Sequence, residues 1–156
     1  MRNLFRSPGK ADWGSLSSAV ATGAAVGGLT TSALGLVAGL LDLTGSRGDA
    51  QGLLLGGTVV SLVAAWLFMQ VRRPRRHGTA DILTGITVAF LTMVLAGTLL
   101  YLVTGTFSEA DDALFESAAG FSTTALTTLD ADALGRGMLF FRAGSQWIGG
   151  LTALLL

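Results

Sequence analysis

Residues 115–129, Phe-Glu-Ser-Ala-Ala-Gly-Phe-Ser-Thr-Thr-Ala-Leu-Thr-Thr-Leu, hold the chemistry of this chain, and that chemistry is coordination, not bond making. The stretch reads as a short helix running into an extended, threonine-rich segment between two apolar runs. A helix of roughly ten residues at 1.5 Å each reaches only halfway through a hydrocarbon core of about 30 Å, and about five extended residues cover the return. Backbone that is neither helix nor closed barrel is tolerated at that depth only where protein covers it or where it lines a watery cavity. A re-entrant loop of this kind touches whatever permeates, and the carbonyl-rich end of its helix, near Gly120, faces a cation. Nothing in the sequence resembles a nucleophile–base pair, a phosphate loop or a metal-ligand cluster, so an enzyme is not expected.

The rest of the chain is composed to place such a loop. Of 156 residues, 51% are hydrophobic and only 13% charged, with a mean hydropathy of +0.63. This is far from a soluble domain, where about a quarter of residues carry charge. The formal net charge is zero, and the one basic cluster is short, so nucleic acid is not an expected partner. Absence of cysteine removes disulfides and thiolate metal sites and leaves the compartment open. The basic N-terminus followed by an apolar run imitates a signal peptide, but the run continues uncharged over residues 16–41, too long for a signal core.

In order, residues 1–15, with Arg2, Arg6 and Lys10, form a polar cytoplasmic lead-in. Residues 16–71 form a two-helix transmembrane hairpin with spans at 16–41 and 52–71 and a turn at 42–51. The first span carries Gly23-x-x-x-Gly27 and Gly35-x-x-x-Gly39, which put glycines on one face for close helix approach; glycine is also simply frequent in membrane helices. Trp66 and Gln70 suit an interface. Residues 72–81 are a basic cytoplasmic loop. Its Arg-Arg-Pro-Arg-Arg-His run at 72–77 marks the inner side and, with the basic N-terminus, puts the N-terminus inside. His77 reads as a solvated loop residue.

Residues 82–156 form one transmembrane helix–pore loop–transmembrane helix unit. Its first span, 82–103, runs outward to Tyr101, read as an interfacial anchor. Beyond it lie Glu109, Asp111, Asp112, Glu116, Asp130 and Asp132, opposed only by Arg136. At an outer mouth this surplus concentrates cations; alternatively it is an ordinary solvated loop. Ser108 followed by Asp111 has the pattern of an N-capped helix start. The last span, 138–156, contains Arg142, Gln146 and Trp147, expensive at that depth unless partnered. Counting in from the outer surface puts Arg142 and Glu116 both roughly 7–12 Å deep, so Arg142 is expected to pair with a carboxylate, Glu116 by preference, or with pore-loop carbonyls; alternatively its side chain snorkels outward.

At residues 115–128, and again at Phe-Arg-Ala-Gly-Ser-Gln-Trp-Ile-Gly-Gly over 141–150, the chain resembles the TrkH/TrkG/KtrB family of potassium-uptake proteins, relatives of the plant HKT transporters. The matching positions are Phe115, Glu116, Ser117, Gly120, Phe121, Ser122, Thr123 and Thr124, then Arg142, Gln146, Trp147, Gly149 and Gly150. The resemblance covers about residues 15–156. It implies an all-α membrane protein with two N-terminal transmembrane helices before the first of four pore-loop repeats, the second helix of that repeat being truncated here.

It further implies uptake of potassium, or sodium, across the cytoplasmic membrane. Ser122, Thr123, Thr124, Ala125 and Leu126 would supply one quarter of the ion-binding filter through main-chain carbonyls, supported by Glu116, Gly120, Arg142 and Gln146. The transported cation would be the only metal, and no covalent cofactor is implied. Partners would be the remaining repeats or further copies, a homodimer mate, a cytoplasmic ring of nucleotide-binding regulatory subunits, and membrane lipid. Ala125 departs from the family's glycine, which puts the local carbonyl geometry and the preference for potassium over sodium in question. A different reading makes the chain a small helical membrane scaffold or accessory subunit in which residues 108–136 lie as an interfacial helix and loop.

Overall fold

The computed structural model describes residues 13–43, 49–71, 78–130, 132 and 134–154. Most of the N-terminal lead-in, part of the 42–51 turn, the arginine-rich run at 72–77 and the last two residues lie outside the described residues. The described part is all helical: α1 (Trp13–Asp42), α2 (Asp49–Met69), α3 (Thr79–Val103), α4 (Ala110–Phe121) and α5 (Arg136–Leu154). Three of these, α1, α2 and α3, are long and apolar enough to cross a membrane, as befits a multi-pass membrane protein. Their threonines satisfy their own hydroxyls by donating one turn back, as Thr31 does to Gly27 O (3.0 Å) and Thr98 to Val94 O (2.9 Å). A buried hydroxyl thus costs little in an apolar setting.

The glycines of α1 decide how the helices stack. Gly23 and Gly27 lie so close to α3 that a Cβ on either would fall on a main-chain carbonyl, that of Gly85 or of Ala89. Gly35 faces Leu100 on α3, whereas Gly39 faces Leu53 and Leu54 on α2. One glycine-rich helix therefore serves two neighbours. These pairings make α1 and α3 parallel, with α2 antiparallel to both. Gly27→Leu is expected to cost at least about 1–3 kcal/mol, because a backbone carbonyl cannot rotate away as a side chain can. Thermal unfolding in detergent checks this, with Gly105→Ala as a comparison at a site where a Cβ meets nothing within 4 Å but φ is +70°.

That glycine ends α3. Thr104 donates its amide to Leu100 O, Gly105 takes the left-handed turn, and Thr106 donates back to Tyr101 O at 3.1 Å. The chain then reverses into α4, which descends along α3: Ala113 packs in the cluster around Leu100 and Tyr101, Ser117 donates to Val94 O at 2.7 Å, and Phe121 packs on Phe90, Met93 and Val94. Phe90 to Val94 is the middle of α3, so α4 ends halfway down its neighbour. By the start of α5 the chain has returned, since Gly137 lies against Ala38, Asp42 and Leu53.

Three local expectations need correction. Glu109, not Ser108, is the N-cap of α4, and it makes no side-chain cap bond; Asp111 and Asp112 occupy the first turn, where carboxylates suit the helix dipole, and Asp111 accepts the Asp112 amide instead (3.1 Å). Tyr101 is not an exposed anchor. It is buried edge-on between Phe107 and Phe141, because α4, α5 and the turn close over the end of α3. The last helix starts at Arg136, and it is not among the helices apolar enough to span by composition alone. Arg142, Gln146 and four glycines dilute its hydropathy.

Candidate functional site

The site is a backbone segment hung between two anchors. The first is the end of α4, held against α5 by a pair of missing side chains. A Cβ on Gly149 would fall on the main-chain carbonyl of Phe121, and one on Gly120 would meet Ser145 Oγ at 2.5 Å. Past Phe121 the helix unwinds in a tight turn, with Ser122 donating to Ala118 O at 2.9 Å and Thr123 to Gly120 O at 3.1 Å. The hydroxyl of Thr124 reaches back to Ala119 O, at 3.3 Å.

The second anchor is Glu116, whose side chain is wholly enclosed (0% exposed). One carboxylate oxygen accepts the Arg142 Nε–H at 2.5 Å, so the expected pair is present. Thr127 Oγ1 lies 3.0 Å from both carboxylate oxygens, and the Thr128 amide donates to the second at 3.3 Å. One carboxylate therefore ties together α4, the returning segment and α5. Such charge-assisted bonds are shorter and stronger than neutral ones. Thr127 closes the arrangement by accepting the Leu129 amide at 2.9 Å.

Between these anchors lie Ser122, Thr123, Thr124, Ala125 and Leu126, all exposed on this chain. Among the described residues, no hydrogen bond ends on any of their five carbonyls, and the amides of Thr124, Ala125 and Leu126 donate to nothing. Thr123 and Ala125 have φ of 61° and 58°, the left-handed region. For a β-branched threonine this is a genuine outlier, and for alanine it costs about 1–2 kcal/mol. Ala125 thus occupies the conformation that glycine takes freely.

The structure brings together Glu116, Gly120 and Arg142, together with both ends of the 122–126 segment. It does not bring in Gln146, which is half-buried and makes no side-chain hydrogen bond among the described residues, or Trp147, which is 76% exposed. Sequence reasoning missed Thr127 and Thr128 as the carboxylate's partners. A second threonine pair eleven residues past a buried glutamate was the available signal. The acidic residues Glu109, Asp111, Asp112, Asp130 and Asp132 are all exposed. In comparisons with known proteins, no family model, no curated protein and no solved structure matches the chain.

Proposed function

We propose that residues 122–126 form one quarter of the selectivity filter of a monovalent-cation uptake protein, selective for potassium or sodium, in the cytoplasmic membrane. The observation that carries this reading is the run of five consecutive unused carbonyls, strained into alternating positive φ and held at both ends, opposite the middle of an apolar helix. Main chain in that condition is sustained where a cation and water take the place of hydrogen-bond partners. The motifs at residues 115–128 and 141–150 that resemble the TrkH/TrkG/KtrB family support the same reading. In it α4 and the returning segment are a re-entrant pore loop, α5 is the fourth crossing, and the acidic rim gathers cations outside.

The N-terminus and the basic 72–77 run are then cytoplasmic. The exposed face of 122–126 is covered by further repeats or copies, the assembly is a dimer, and regulatory nucleotide-binding subunits sit beneath it. No bond is made or broken.

Rubidium uptake into proteoliposomes tests the reading. Assembled protein is expected to give saturable uptake that potassium competes, while preparations holding one copy per vesicle stay silent. Uptake no greater than in empty vesicles from every assembled form would overturn it. Ala125→Gly is expected to relieve about 1 kcal/mol of backbone strain and raise potassium uptake relative to sodium. An unchanged ratio would mean that this carbonyl does not contact the ion.

A further inference from the structure

We infer that Asp42, the last residue of α1, is a positioning residue for the ion-coordinating segment. Its functional consequence rests on the filter reading above, and its structural consequence on geometry alone. Asp42 is only 2% exposed although it ends an apolar helix. Its Oδ1 accepts the Gly137 amide at 3.1 Å, a bond that joins residues 95 positions apart. Gly137 is the second residue of α5, so its N–H is one of the first-turn donors that no carbonyl of its own helix can satisfy. A carboxylate there also sits at the positive end of the α5 dipole.

The contact fixes position as well as satisfying a donor. A Cβ on Gly137 would meet Ala38 O at 2.6 Å, Asp42 Cβ at 2.8 Å and Leu53 Cδ1 at 3.0 Å, so α1, α2 and α5 converge on one point with no slack. Whatever sets the height and rotation of that first turn sets Arg142, five residues on in the same helix. Arg142 holds Glu116, and Glu116 holds Thr127 and Thr128. The first helix thereby reaches the downstream end of the 122–126 segment through one unbroken series of contacts. The other oxygen of Asp42 is enclosed without a partner among the described residues. Burying a carboxylate with one oxygen unpaired is costly, and that cost is borne at the point where the Gly137 donor is held and three helices meet.

Amide hydrogen exchange on the full chain in its membrane assembly tests this. Asp42→Ala is expected to speed exchange about tenfold or more at Gly137 and Met138 and also at Thr128, while the mid-α3 amides around Val94 keep their protection. Asp42→Asn, whose amide oxygen accepts the same bond, is expected to restore Thr128. Gly137→Ala, which leaves the carboxylate intact but forces α5 off α1, is expected to open Thr128 as well, and it decides the matter if Asp42→Ala does not accumulate. Faster exchange confined to α5, or spread evenly over α3, would overturn the inference. The filter reading is judged separately: if Thr128 opens in Asp42→Ala while the potassium-to-sodium uptake ratio stays fixed, the positioning stands and the filter assignment falls.

Discussion

Arg142→Met is expected to destabilise the protein by about 3–5 kcal/mol, because it strands a fully enclosed carboxylate without its cation. The reverse substitution is gentler. Glu116→Gln keeps an oxygen for the Thr128 amide, and the guanidinium it abandons is 21% exposed and can turn toward water. The double variant, Glu116→Gln with Arg142→Met, should recover a good part of the loss, since what it leaves is a neutral amide among hydroxyls. Thermal unfolding of the three variants measures the coupling directly. Equal losses from both single variants, adding in the double, would mean that Glu116 and Arg142 do not act as a pair. Because the carboxylate also holds Thr127 and Thr128, Arg142→Met should abolish cation uptake even in whatever protein survives.

Gly149→Ala should rank next, and the neighbouring glycine supplies the control. A methyl group at 149 collides with the Phe121 carbonyl, which belongs to the last turn of α4 and can move only by moving the helix. At Gly150 the nearest atom to an added Cβ is the Thr123 methyl at 3.8 Å, an ordinary contact. Gly149→Ala is therefore expected to cost at least about 1–3 kcal/mol and to displace the start of the 122–126 segment, whereas Gly150→Ala is nearly silent. Both are read by thermal unfolding and rubidium uptake, and a similar response from the two would contradict the close approach of α4 and α5.

Much of this was legible before any coordinates. Unbroken apolar runs fixed three spans to within about three residues at each end, because length and hydropathy alone decide whether a helix can cross. The Glu116–Arg142 pair followed from depth: two charges at one level in an apolar medium have few alternatives to each other. The strain at Ala125 was expected from the glycine at the matching position of the family that the chain resembles. What stayed hidden depends on which helix ends meet. Asp42 looked like the first residue of a turn, and only the return of α5 to the top of α1 encloses it. Tyr101 has the composition of an interfacial anchor, and nothing local says that Phe107 and Phe141 close over it. The double service of α1, with Gly23 and Gly27 toward α3 and Gly39 toward α2, is likewise a property of three helices together. A spacing of four glycine positions names a face but not its occupant.

The central claim is that residues 122–126 line a water-filled cation path at mid-membrane depth. The chain has no cysteine, so single substitutions Thr123→Cys, Thr124→Cys and Ala125→Cys can be probed without background. In assembled protein in a bilayer, each is expected to react with a small cationic thiol reagent from the water phase, to be slowed by potassium but not by choline, and to resist a lipid-borne reagent confined to the headgroup region. Reaction with the headgroup reagent at full rate, with no protection by potassium, would place the segment at the membrane surface and contradict the account.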